Sequence, residues 1–162
     1  KKKYKYKLLL LLSGPEPQRT YLEELLIEQI DKLQLPTLLV QGKTEIYERA
    51  PYSDYIEKVS HLKGDELLKA IHGSETVVCR SGYSTIMELA GLKKQAILIP
   101  TPGQSEQEYL AKSLKKRKWF YSETQSKFDI QKALKEKDHY EIPFDIPVNY
   151  FYRKIGSVFK GL

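Results

Sequence analysis

At 162 residues with a formal charge of +6, the chain has the length of one domain, enough to bury a core without disulfides or a structural metal. Its single cysteine, Cys79, excludes a disulfide framework and a cysteine-rich zinc site, and fits a reducing, cytoplasmic compartment. No run approaches the roughly 20 apolar residues that span a bilayer.

In chain order, the first feature is KKKYKYK, five lysines interleaved with two tyrosines. It leads directly into an apolar run, so no signal peptide is expected. The missing initial methionine leads us to expect a piece of something longer. Positive charge recurs in KSLKKRK at residues 112–118 and in Arg153, Lys154 and Lys160. Such patches suit an anionic membrane surface or nucleotide phosphates, and each is also readable as solvated, snorkelling lysines. No base-stacking motif, zinc finger or helix-turn-helix spacing points to nucleic acid.

Short continuous apolar runs predict strands at Lys7–Leu12, Thr37–Gln41, Ile56–Ser60, Thr76–Cys79, Ala96–Ile99 and Trp119–Ser122. Helical stripes fall between them: Leu22, Leu25, Leu26, Ile30 and Leu33; then Leu67, Leu68 and Ile71. Ile86, Leu89 and Ala90 give a third stripe, and Tyr109, Leu110 and Leu114 a fourth. Short connections between alternating elements predict an α/β domain with a doubly wound parallel sheet. We place this domain at residues 1–135. Residues 136–150, with two prolines and little period, read as a linker to a final helix around Tyr150–Phe159.

Ligands of such sheets bind outside the carboxyl ends of the strands, which brings three turns together. The first is SGPEPQRT, residues 13–20. Backbone N–H groups there often hold phosphate, yet Pro15 and Pro17 have none to give. Ser13 supplies a hydroxyl, Gly14 lets a ligand come close, and Arg19 is expected to bridge two phosphate oxygens. The plainer reading is a stiff turn, with Pro17 in the first turn of the helix and Arg19 solvated.

The second turn, Arg80-Ser81-Gly82, precedes a helix that starts with Ser84 and Thr85. Amides at that N-terminus favour a phosphate. Glu88 follows one turn deeper on the same face, where a carboxylate suits the vicinal hydroxyls of a ribose. Thr85-x-x-Glu88 also reads as a capping box that needs no ligand. In the third turn, Ser105 and Glu108 form a second candidate capping box, and Gln107 with Glu108 suits directional bonds to sugar hydroxyls.

VVCRSGYSTIMELA, followed by ILIPTPGQSEQEYLAK, resembles the C-terminal domain of the MurG-related GT-B glycosyltransferases, glycosyltransferase family 28. The resemblance covers roughly residues 7–135 and implies the Rossmann-like C-terminal half of a GT-B fold with a UDP-sugar donor site. It implies that Glu88 binds the ribose and that Ser84 and Thr85 contact the diphosphate. Gln107 and Glu108 would contact the donor sugar, and the Leu62–Gly64 segment, with Lys63 and Gly64, the uracil. Together with Ser13, Gly14, Arg19, Arg80, Ser81 and Gly82 these form the expected donor site. The chain departs from the family at Glu108, where a glutamine is usual, and at Lys63, where an apolar or aromatic residue is. It departs most in the opening turn, where the family has a Gly-Gly-Ser type loop.

Transfer in this family is direct displacement at the anomeric carbon, and its base and acceptor site lie in an N-terminal domain. No catalytic base is therefore expected here, nor any metal or cofactor. The isolated chain is expected to bind a UDP-sugar without turnover, its partner being the missing N-terminal domain and its acceptor lipid-linked or membrane-associated. A cytoplasmic protein, peripheral on the inner face of the membrane, fits this reading. Of His61, His72 and His139, His61 alone is placed to line the cleft. A UDP-sugar epimerase of the same architecture and a non-catalytic nucleotide-binding module are the alternatives.

Overall fold

The Leu8–Leu12 run becomes the middle of a seven-stranded sheet in the computed structural model, which describes residues 2–143, 145 and 146. The strands are β1 (Tyr6–Leu11), β2 (Thr37–Val40), β3 (Arg49–Pro51), β4 (Ile56–Val59), β5 (Ser74–Cys79), β6 (Ala96–Leu98) and β7 (Tyr121–Ser122). The helices are α1 (Gln18–Leu33), α2 (Gly64–Gly73), α3 (Tyr83–Gly91), α4 (Ser105–Lys116) and α5 (Ile130–Glu136). Strand order is β3-β4-β2-β1-β5-β6-β7. Every pairing is parallel except that of β3 with β4.

Alternation along the strands divides the core in two. Leu9, Val77, Cys79 and Leu98 face a cluster with Ile71, Ile86, Leu89, Leu110 and Leu114, so α2, α3 and α4 cover that side. Leu8, Leu10, Val78 and Ile97 face Leu22, Leu26, Ile30, Ile130 and Ala133, so α1 and α5 cover the other. The sheet is doubly wound, as expected. Apolar residues on both faces explain why these strands read as continuous runs rather than as alternating ones.

Two elements differ from the expectation. Residues 42–55, where no element was expected, carry the short antiparallel strand β3, all three of whose residues are exposed. An exposed strand of sequence Arg-Ala-Pro has no apolar period to announce it. The boundary at residue 135 falls inside α5, and the segment after it is docked rather than linker-like. Gln95 donates to Tyr140 O at 2.6 Å, Lys93 to Pro143 O at 2.7 Å, and Glu141 N–H to Lys118 O at 2.8 Å. The expected helix around Tyr150–Phe159, with Arg153, Lys154 and Lys160, lies outside the described residues.

Candidate functional site

Strand order reverses between β1 and β5: the chain leaves β1 toward β2 on one side and returns to β5 on the other. This switch point opens a crevice at the carboxyl ends of the strands, and the turns after β1, β5 and β6 meet there. Arg80, 2 % exposed, ties them together. Its Nη1 donates to Ile99 O and Pro100 O, both at 3.3 Å, and to Gln125 Oε1 at 2.8 Å. Its Nη2 donates to Gln18 O at 3.1 Å. None of these partners is a carboxylate, and burial pushes the guanidinium down to about 10. The three turns thus share a floor that carries an unneutralised positive charge.

On that floor α3 begins at Gly82, which caps the helix with no side-chain hydrogen bond. The first helical bond is Ile86 N–H to Gly82 O, so the N–H groups of Tyr83, Ser84 and Thr85 lie ahead of the ladder. Thr85 is inside the helix and cannot be its N-cap, which removes the Thr85–Glu88 capping box. Glu88 is exposed, and its carboxylate has no hydrogen-bond or ion-pair partner among the described residues. The first-turn amides of Ser84 and Thr85 and the Glu88 carboxylate therefore stand one turn apart on one face.

The opening turn is arranged differently. Glu16 Oε2 accepts from Thr20 N–H at 3.2 Å and from its hydroxyl at 2.7 Å. A carboxylate of the chain itself thus takes the anion position at the start of α1, and its bonds to Thr20 and Arg19 hold its pKa below the usual range. Arg19 is 5 % exposed: Nε donates to Glu16 at 2.6 Å, Nη1 to Glu23 at 2.7 Å and Nη2 to Thr20 at 2.9 Å. Its guanidinium is consumed inside the protein rather than presented to a ligand, which corrects its expected role as a phosphate bridge.

Among curated proteins no sequence match was found. The family model described as the glycosyltransferase family 28 C-terminal domain matches residues 40–140, more than half of the chain. The chain belongs to this family. Three of the solved structures that share its fold show the likeness. The ALG13 solution structure is 10 % identical, with 94 % of this chain and 95 % of that one covered at a TM-score of 0.62. MurG of Acinetobacter baumannii is 18 % identical, covered over 99 % of this chain and 50 % of its own, at 0.66. The spinosyn forosaminyltransferase SpnP is 8 % identical, covered over 98 % and 40 %, at 0.57. The chain thus spans half or less of the MurG and SpnP chains, and its fold is that of GT-B C-terminal halves.

Within this family 28 domain the remaining expected residues divide by what they touch. Ser81 is fully buried, and its hydroxyl donates to Gln107 O at 2.7 Å, pinning the β5 turn to α4. Its side chain, like those of Arg19 and Arg80, is bonded within the chain rather than aimed at the crevice. Gln107 Oε1 accepts from Thr101 N–H at 2.8 Å, and Nε2 donates to Gln104 at 2.7 Å. Glu108 Oε1 accepts from Gly103 N–H at 3.1 Å. The N-cap of α4 is Gln104 rather than Ser105, so the second capping box is not formed either. Both side chains instead brace the 101–103 turn, each with further acceptor or donor positions to spare. Glu108 also lines a cavity of about 470 Å³ with Pro100, Pro102, Lys112 and Gln125.

Ser13, Gly14, Lys63, Gly64, Ser84 and Glu88 are exposed at the same end of the sheet, with Gly82 and Thr85 half-buried. Lys63 is the extended residue that precedes α2, and Gly64 follows at φ +53 with nothing near its missing β-carbon. His61 does lie at this end, its Nδ1 3.1 Å from Lys43 O and its ring edge-on to Tyr47 at 5.5 Å. Tyr47, in the loop between β2 and β3, and Thr101, in the turn after β6, also lie at this end of the sheet and were not singled out from the sequence. Among the described residues there is no cluster of three metal-ligating side chains and no helix long and apolar enough to cross a membrane.

Proposed function

We propose that the chain is the donor-binding half of a UDP-sugar-dependent glycosyltransferase, which moves a hexose or N-acetylhexosamine to a lipid-linked or membrane-associated acceptor. The observation that carries this reading is the uncapped start of α3, with the unpartnered Glu88 carboxylate one turn deeper. Phosphate is favoured at the amides by hydrogen bonding and by the helix dipole. It is repelled by a carboxylate, which in turn accepts readily from two vicinal hydroxyls. A nucleoside diphosphate laid along the helix satisfies both: diphosphate on the amides and hydroxyls of Ser84 and Thr85, ribose on Glu88. Ser13 and Gly14 close over the diphosphate, the backbone of Lys63 and Gly64 meets the uracil, and Gln107 and Glu108 meet the sugar. Exposed lysines in the 2–7 and 112–118 runs favour an anionic membrane surface.

In the reaction an acceptor oxygen forms a bond to the anomeric carbon while the bond to the diphosphate breaks, and UDP leaves with the electron pair. The acceptor proton passes to a base on an N-terminal domain. This chain supplies the pocket that stabilises the leaving diphosphate.

Calorimetry with Glu88→Ala tests the reading. UDP affinity should fall about tenfold or more, as expected for bonds to a charged acceptor, while 2′-deoxy-UDP affinity changes much less. Equal loss for both ligands would remove the ribose assignment. Equal stabilisation of the wild-type chain by UDP, ADP and GDP would leave only a generic phosphate site.

A further inference from the structure

Thr101 lies in the turn after β6 and is 2 % exposed, yet its hydroxyl has no hydrogen-bond partner. Its main chain is well held: the N–H donates to Gln107 Oε1 at 2.8 Å, and the carbonyl accepts from Gln104 N–H at 3.1 Å. Only the side-chain oxygen is left over. A buried orphan hydroxyl is a stability cost that valine, of the same shape, would avoid. Thr76, the other threonine with an orphan hydroxyl, lies within β5 well short of its carboxyl end.

A second observation shows what the Thr101 hydroxyl faces. Gly14, in the turn after β1, has φ +99, and the β-carbon position it leaves vacant has a single atom within 4 Å apart from its chain neighbours. That atom is Thr101 Oγ1, at 3.7 Å. The vacancy and the hydroxyl lie where the β1 and β6 turns meet, beside the Gln107 side chain that holds the Thr101 main chain.

We propose that the Thr101 hydroxyl is a donor-binding group, which reaches past Gly14 to donate to the sugar-proximal phosphate of the nucleotide sugar. This rests on the donor-site reading above. Access of the ligand to the hydroxyl runs through the Gly14 turn, whose glycine tolerates a change of φ that another residue would resist. The placement divides the diphosphate between two holders. The α3 amides take the phosphate next to the ribose, and Thr101, tied to the sugar-side residue Gln107, takes the one next to the sugar. A neutral donor at that oxygen becomes more valuable as the leaving group gains charge. No acid is needed in this chain for that.

Thr101→Val and Thr101→Ser in the full 162-residue chain test this by thermal unfolding and by calorimetry with uridine, UMP, UDP and inorganic pyrophosphate. For Thr101→Val we expect an unchanged or raised Tm, with UDP and pyrophosphate affinities reduced about ten- to hundredfold. Uridine and UMP affinities should stay put, and Thr101→Ser should recover most of the loss. A lowered Tm with unchanged UDP affinity would overturn the proposal, because the hydroxyl would then serve the fold. Equal losses for UMP and UDP would overturn its assignment to the second phosphate. If the wild-type chain binds ADP as tightly as UDP, the uridine reading fails while the hydroxyl is still judged by pyrophosphate. Pyrophosphate and UDP that bind wild type and Thr101→Val equally would overturn it under either reading.

Discussion

Arg19 Nη1 donates to Glu23 Oε2 at 2.7 Å across one turn of α1, and both residues are about 5 % exposed. Glu23 also accepts from Lys58 at 2.7 Å and from Gln41 at 3.0 Å, so one carboxylate anchors α1 to both β2 and β4. The anion partner of Arg19 is therefore a residue of the chain, and the residue acts in folding. Arg19→Ala should lower unfolding free energy by about 1.5–3 kcal/mol, the worth of charge-assisted bonds lost while Lys58 still pairs with Glu23. UDP affinity, measured well below the melting temperature, should stay within about twofold. A large affinity loss with unchanged stability would return Arg19 to the ligand.

Acid should find the same network. Desolvation alone would raise the Glu23 pKa, but its bonds to Lys58 and Arg19 outweigh that and hold it below 4.5. A carboxylate depressed on folding contributes stability that is complete above its unfolded pKa and is lost as pH falls through the folded value. Urea midpoints should thus be flat above about pH 5 and fall below 4.5. Glu23→Gln should start lower and show a shallower acid slope.

Arg80 makes a different demand. Its guanidinium reaches Gln18, Ile99, Pro100 and Gln125 at once, a spread that the single ammonium of lysine does not cover. Arg80→Lys should cost about 2–4 kcal/mol in denaturant unfolding, given the typical worth of charge-assisted bonds. It should also weaken UDP, because three turns lose their common tie.

Glycine tests separate conformation from space. Gly42 has φ +75, and a β-carbon there would run into Leu12 O, whereas Gly103, at φ +82, has nothing within 4 Å. Gly42→Ala should cost roughly 3 kcal/mol or more, and Gly103→Ala about 1–2, since only the first adds a backbone collision to the strain of positive φ. Equal costs would mean that strain alone decides.

Much of this was legible from patterning. Six of the seven strands and the four long helices follow from apolar runs and stripes, because each side chain faces one of two dry cores. β3 was not, since all of its residues face solvent and carry no period. At the site, spacing placed Ser84, Thr85 and Glu88 on one face, and the capping-box alternative fell only when Gly82 proved to be the N-cap. Arg19, Arg80 and Ser81 were expected at the ligand, and their side chains bond within the chain instead, for a shared reason. Polar residues in a turn look alike in sequence whether they point outward or inward. Only the fold showed that Glu23, Gln125 and Gln107 O stand within reach of these three side chains, with the Arg80 Nε–H left buried and without a partner.

Cys79 ends β5 directly before Arg80, and burial pushes its thiol up to about 12. At neutral pH the sulfur is a thiol, and it is shut away from solution. The sulfur is therefore a silent clock beneath the crevice. A thiol reagent reads zero until β5 parts from its neighbours, and the labelling rate then measures how often that region breathes. A ligand that clasps the turns above should slow the clock, without any probe having been added to the surface it binds.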